Sequence, residues 1–386
     1  MHVCLVRVAA ATATLAVLAG CQGGRRTPPI TTDGFIVARP AVTETTYYAQ
    51  DIELARDGRS LYCFSLGRWK VYDVKRDADV AAVASEGWAY HSELLYDSEE
   101  QPTVIGCDAG AQGLFARRDE QGRIIWAVPA GHREERPIWW AVTADATGDG
   151  RDEVYVVVGT ALARLDSEGV AAWRRELPGP ASRGGRHVDA PRGPYASSPG
   201  VFVAHDGPDR GQQHLNIWLV DADGTTQAET SIAGGGPTRS FAAVSWPDVP
   251  HGVLFVSSRP GEVLVSDFTG RTLVAHDCPP LPRSGTAGWG IRDFAATSFR
   301  VGGRPHLAVL AATRRTSGTA LLVILDHDLR VVHEEFLGWS VGLCAVAASD
   351  DTDVLYVGDG LRIRRYEFAA PDTPGAADEV ADGGES

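Results

Sequence analysis

The chain has 386 residues, of which 44% are hydrophobic, enough for a sizeable core in one large domain or two smaller ones. Charged residues make up 22%, and 43 Gly with 22 Pro are too many turn formers for a helical protein. A net charge of −14, with no long Lys/Arg run, argues against a nucleic-acid binder, which needs a basic face to release counterions.

Residues 1–20 differ from everything after them. Arg7 is followed by an apolar run, Val8 to Leu18, too short for a permanent membrane span but the right length for the core of an export signal. It ends in Leu18-Ala19-Gly20-Cys21, which resembles the lipobox of bacterial lipoprotein signal peptides. That resemblance implies cleavage before Cys21, acylation of Cys21, and a mature chain held at the membrane by lipid. Gln22 after the cysteine then implies the outer membrane in a diderm bacterium. The competing reading is an ordinary secretory signal with an incidental cysteine. Residues 21–33 are polar and Pro-rich, as expected of a tether.

Gly34 to Arg39 is a strand-like run with no local partner. Beyond it the chain repeats. Short apolar runs end at Tyr72-Asp73, Arg118-Asp119, Leu165-Asp166, Val220-Asp221, Ser266-Asp267 and Leu325-Asp326, with Tyr366 in the equivalent place of the last copy. The best-defined copy, Trp140 to Leu177, reads as four short strands separated by Gly and Asp turns. A period of roughly 40 to 60 residues with four strands in each belongs to propeller blades rather than solenoids. Asp119-Glu120-Gln121-Gly122, Asp166-Ser167-Glu168-Gly169 and Asp221-Ala222-Asp223-Gly224 place Gly where a tight hairpin needs positive φ, and Phe268-Thr269-Gly270 does the same. Strands with Trp126 and Trp173 follow the first two. This phrase resembles the repeats of PQQ-like and BamB-type propellers.

Seven periods can be counted, the seventh short of one strand after Ile363 to Phe368. The expected fold is therefore all-β: a seven-bladed β-propeller over 34–369, closed by the N-terminal strand, which uses both leftovers and removes exposed edges. Six or eight blades stay open because the insertions near Ala181–Pro194 and Arg314–Thr319 blur the count. Residues 370–386 are Pro/Gly/Ala-rich and acidic with no basic residue, as in a disordered tail.

Asp145-x-Thr147-x-Asp149-Gly150-x-x-Glu153 has the oxygen spacing of a short calcium loop, with the Arg151 carbonyl as a further donor and Gly150 allowing the turn. It resembles the calcium loops of FG-GAP and VCBS repeats, which implies one structural Ca2+. Thr147 stands where Asp or Asn is usual, and Asp152 is an extra carboxylate. The alternative is an acidic, Asx-stabilised turn without metal.

In a propeller, connections from the fourth strand of one blade to the first of the next share one face with the channel. Those segments hold Trp88, Arg133, Arg136, Trp139, Trp140, Arg186, His187, Arg192, Arg239, Trp289 and Trp339. A ring of tryptophans and arginines suits stacking and bidentate recognition of carboxylate or sulfate groups, on an acidic glycan or a protein partner. Equally, repeat-equivalent tryptophans serve as wedges between blades. Cys63, Cys107, Cys278 and Cys344 lie far apart with no C-x-x-C, and those in apolar runs are expected as buried single thiols.

There is no G-x-S-x-G, H-E-x-x-H, G-x-G-x-x-G or P-loop, and the 11 His are dispersed. The expectation is a monomeric, lipid-anchored binding or scaffold propeller at the cell envelope, more a binder than an enzyme. The alternatives are a propeller lyase acting on acidic polysaccharide and a PQQ-type dehydrogenase.

Overall fold

The computed structural model describes residues 30–31, 36–45, 49–65, 67–85, 89–97, 101–108, 114–129, 140–178, 187–195, 200–205, 214–234, 241–259, 261–279, 291, 293–313 and 318–368. Two strands, β1 (Ile30–Thr31) and β2 (Ile36–Glu44), precede the repeating part. Blade one is β3 (Asp51–Leu54), β4 (Ser60–Ser65), β5 (Arg68–Asp73) and β6 (Ala78–Ala84); blade two is β7 (Ala89–Leu95), β8 (Thr103–Asp108), β9 (Leu114–Arg118) and β10 (Ile124–Pro129). Blade three is β11 (Trp140–Ala144), β12 (Glu153–Val158), β13 (Ala161–Leu165) and β14 (Ala171–Glu176); blade four is β15 (His187–Asp189), β16 (Gly200–His205), β17 (His214–Asp221) and β18 (Thr226–Ala233). Blade five is β19 (Ala242–Ser245), β20 (Val253–Arg259), β21 (Glu262–Asp267) and β22 (Thr272–Asp277); blade six is β23 (Asp293–Val301), β24 (Arg304–Ala312), β25 (Thr319–Leu325) and β26 (Val331–Gly338). Blade seven supplies β27 (Leu343–Ala347), β28 (Asp353–Asp359) and β29 (Arg362–Phe368) in sequence, and β2 returns to complete it.

All pairings within these sheets are antiparallel, and the first strand of each blade lies innermost. The β3 strand packs against β7 on one side and β27 on the other, so the first and seventh blades are neighbours and the ring is closed. β2 seals it, with Ile36 opposite Phe368 and Ala38 opposite Tyr366. One addition falls in the stretch read as a tether: Ile30 and Thr31 pair with Glu334 and His333, giving blade six a fifth strand.

The core is not a single mass. It divides into seven apolar clusters, one between each pair of neighbouring blades among the described residues. The cluster between blades seven and one, with Ile52, Leu61, Tyr72, Val346, Tyr356 and Ile363, is built like the others. Each blade is thus apolar on both faces and needs a neighbour on both sides, at roughly 1.5–3 kcal/mol per fully buried large side chain. An open array would leave two such faces in water.

The periodic aspartates close the outer hairpins. Oδ1 of Asp119, Asp166, Asp221, Asp267 and Asp326 accepts the backbone N–H groups two and four residues on. The residue three beyond the aspartate has positive φ: Gly122, Gly169, Gly224 and Gly270 in four blades, Leu329 in the sixth. A Cβ on Gly169 would stand 2.8 Å from the Trp126 ring, and one on Gly224 would stand 3.0 Å from Trp173. Each tryptophan also donates its indole N–H to the next blade's turn, Trp126 to the Ser167 carbonyl at 2.7 Å and Trp173 to that of Ala222 at 2.8 Å. The turn glycine is therefore required both for its backbone angle and for the side chain docked beneath it.

Candidate functional site

The inner strands carry carboxylates where an apolar strand would be expected, and these carboxylates join blades. Glu53 Oε2 accepts the Leu94 N–H of the next blade at 2.9 Å. Glu93 Oε2 accepts that of Thr143 at 2.9 Å, and Asp189 Oδ2 that of Ala243 at 2.9 Å. First strands of neighbouring blades do not form a ladder with each other, so their backbone N–H groups need side-chain acceptors.

Blade four departs from the pattern. Its inner strand β15 ends after three residues because Pro191 cannot donate to a ladder. The chain then turns into the channel. The Arg192 backbone pairs in parallel with blade five, its N–H donating to the Ala243 carbonyl at 3.2 Å and its carbonyl accepting the Ser245 N–H at 3.0 Å. Gly193 has φ of +120°, and a Cβ there would fall 1.9 Å from Ser298 Oγ. Only glycine allows this segment to lie so close to the wall.

From that position the Arg192 side chain crosses to the opposite blades. Nη1 donates to Asp51 Oδ1 at 3.1 Å, and Nη2 to Glu93 Oε1 at 3.1 Å. Glu53 lies beside them. Its Oε1 is sealed from solvent with no hydrogen-bond partner. One oxygen each of Asp51, Glu53 and Glu93 lie within 4.8 Å of one another. Burial, the largest influence, pushes Glu93 from its ordinary value up to about 7, against the pull of Arg192. Burial also drives Glu53 well above the carboxylate range, reinforced by Glu93 and Asp51. Burial works against the charge on Arg192, but Asp51, Glu93 and Asp189 outweigh it and hold the guanidinium protonated.

A cavity of about 480 Å³ lies against this cluster. Its walls include Glu53, Glu93, Thr143, Arg192, Arg300, Cys344 and Asp353. Across it from Arg192, Arg300 and Asp353 form a bidentate pair, Nη2 to Oδ1 at 2.8 Å and Nε to Oδ2 at 3.3 Å. The lining is mixed, with aliphatic side chains such as Ile52, Val142 and Leu343 among the charged ones and no aromatic ring, and the segment from Ala190 to Pro194 forms part of it.

The calcium-loop residues lie at the outer end of the connection between β11 and β12. Asp145 spends both oxygens on its own loop: Oδ1 on the N–H groups of Gly148 and Asp149, Oδ2 on that of Gly150. Thr147 Oγ1 donates to Glu153 Oε1 at 3.0 Å, Glu153 Oε2 accepts the Ala146 N–H, and Asp149 Oδ1 accepts that of Arg151. Asp145, Asp149 and Glu153 are not among the described acidic groups whose oxygens gather within 4.8 Å. Arg56 of blade one enters instead, donating to the Gly150 carbonyl at 2.5 Å and to Asp152 Oδ1 at 2.6 Å. The loop is an Asx-stabilised turn, and the extra carboxylate, Asp152, is the part that latches blades together.

Of the expected ligand ring, four members fall in the described residues: Arg192 in the channel, and Trp140, His187 and Trp339. His187 opens β15 and is buried between Trp140 and Phe241, with ring centroids at 4.6 and 5.1 Å. Trp339 is buried, and its indole N–H donates to the Thr313 carbonyl at 2.8 Å. Trp140, His187 and Trp339 act as wedges between blades. Trp88, Arg133, Arg136, Trp139, Arg186, Arg239, Trp289 and the lipidation candidate Cys21 lie outside the described residues. Cys63, Cys278 and Cys344 are single thiols; burial raises Cys344 and Cys278 each to about 12, too high for thiolate chemistry at neutral pH. Cys107 lies on β8, its side chain outside the description.

No family model matches the sequence, and no curated protein matches it either. Solved structures do match. A chain of Kuenenia stuttgartiensis hydrazine synthase is similar over 85% of this chain and 98% of its own, at 12% identity and a TM-score of 0.54. The Dos1 propeller is similar over 83% of this chain and 78% of its own, at 12% identity and a TM-score of 0.46. At such identity the first likeness speaks to the fold alone. With the seven sheets and the closing strand, it defines the class: a seven-bladed β-propeller.

Proposed function

We propose that this chain is an exported, lipid-anchored propeller that binds a partner at the cell envelope and serves as a rigid scaffold there. The observation that carries this reading is the self-occluded channel. Arg192 ties blades one, two, four and five together through the axis, so the ring offers a partner a stiff surface and a small cavity of mixed lining rather than a passage. The lipobox-like Leu18 to Cys21 supports export and anchoring, and the basic and aromatic segments around Arg133, Arg136, Arg186 and Arg239 support a partner bearing carboxylate or sulfate groups, a protein or an acidic glycan. No described geometry favours the enzymatic alternatives.

The test is an array of acidic glycans and envelope proteins probed with the purified mature chain. Saturable binding without turnover, at least tenfold weaker in an Arg133→Glu/Arg136→Glu variant, is expected. Consumption of the bound compound would reject the reading, as would binding that ignores both substitutions.

A further inference from the structure

We propose that Asp51, Glu53 and Glu93 hold one hard divalent cation in the central channel. This goes beyond the binding role above and does not depend on it.

Asp51 and Glu53 are two residues apart on β3, so both side chains project from the same face of that strand, and Glu93 meets them from the adjacent β7. An oxygen from each comes within 4.8 Å of the other two, the span of donors shared by one ion with metal–oxygen distances of about 2.1–2.5 Å. All three are carboxylates, a donor set that selects Ca2+, Mg2+ or Mn2+ over softer metals.

Charge points the same way. Three acidic side chains face one guanidinium, Arg192, so acidic groups outnumber cations here. A divalent cation redresses that imbalance. The separate sign of a missing partner is Glu53 Oε1, a carboxylate oxygen shut away from water with nothing to accept from. Leaving such an atom bare is costly, and a cation held among the three carboxyl groups would satisfy it.

Arg192 does not compete for the site. A carboxylate has about four lone-pair positions, and the guanidinium takes one on Glu93 and one on each oxygen of Asp51. It fixes the rotamers of two ligands from outside, as the Leu94 and Thr143 N–H groups do for Glu53 and Glu93. The adjoining cavity has room for the water molecules that complete the coordination.

The experiment uses the purified mature chain, stripped with EDTA and titrated with MnCl2, following the free Mn2+ signal by electron paramagnetic resonance. Melting curves in CaCl2 and MgCl2 are run alongside. One Mn2+ per chain is expected, with a melting temperature raised by roughly 3–6 °C at saturation. Asp145→Asn should bind as the native chain does. Glu53→Gln and Glu93→Gln should each weaken binding at least tenfold while melting in EDTA no lower than the native chain, because each Gln keeps a carbonyl oxygen for the Leu94 or Thr143 N–H and spares the burial of an acidic group. Absence of Mn2+ binding overturns the proposal, as does binding unchanged in both Gln variants or lost in Asp145→Asn.

Discussion

Trp126 of blade two lies under Gly169 of blade three, close enough that a methyl group on Gly169 would touch its ring at 2.8 Å, while its indole N–H donates to Ser167 beside that glycine. The same arrangement links Trp173 to Gly224 one blade further on. Blades two, three and four are thus pinned at the rim as well as packed through their faces.

Gly169→Ala should therefore cost more than backbone strain alone. A non-Gly residue at positive φ costs about 1–2 kcal/mol, and the overlap with Trp126 adds about 1–3 kcal/mol. Gly58→Ala is the control, because Gly58 has φ of +65° and nothing within 4 Å of the added carbon. Urea unfolding should show the Gly58 variant losing about 1 kcal/mol and the Gly169 variant clearly more. Equal losses would mean the tryptophan is not docked there.

The aspartate of the first blade sets an acid limit. The Arg59 guanidinium, aided by the Arg76 and Lys75 backbone N–H groups, holds Asp73 at about 2, below its ordinary 3.8. A carboxylate depressed in the folded state stabilises fully above its unfolded value, and the contribution is lost as pH falls from about 4 to about 2. Asp73→Asn should lower the melting temperature at pH 6, with the gap to the native chain closing by pH 2. A gap constant with pH would place the effect in packing rather than charge.

The turn at Asp145 to Glu153 gives a prediction about calcium. Arg56 occupies the Gly150 carbonyl and Asp152, and stacks on Tyr96 at 4.4 Å. Arg56→Ala should cost about 1–2 kcal/mol through the lost ion pair and stacking, and calcium should raise the variant and the native chain equally, leaving the difference between them in place. Recovery of melting temperature on adding CaCl2 to an Arg56→Ala/Glu53→Gln double variant would show that the loop holds the ion after all.

The repeat was legible because each blade needs the same hairpin chemistry in the same place: Asp119, Asp166, Asp221, Asp267 and Asp326 all cap their turns. The closing strand was legible as well, since Gly34 to Arg39 had no local partner and the last period, ending at Ile363 to Phe368, was one strand short. The channel cluster was not. Asp51, Glu53 and Glu93 look like ordinary acidic residues on short strands, and they meet only because adjacent blades bring β3 and β7 side by side. Arg192 was read as part of a connection between blades. It lies after the inner strand instead, sent across the axis by Pro191 and by a glycine, Gly193, whose backbone angle no other residue adopts without strain. The signal that could have found it was Pro191 and Pro194 flanking Arg192 and Gly193, directly after a three-residue strand.

The central claim is that Arg192 crosses the channel from blade four to a carboxylate on blade one, and a double-mutant cycle between Arg192→Met and Asp51→Asn in EDTA tests it most directly. Arg192→Met should be strongly destabilised, about 3–5 kcal/mol because Asp51 and Glu93 lose their buried cation, Asp51→Asn by less because Glu93 still holds the guanidinium, and the double variant less than their sum by about 1–3 kcal/mol. Additivity within about 0.5 kcal/mol would contradict the contact, and with it the occluded channel.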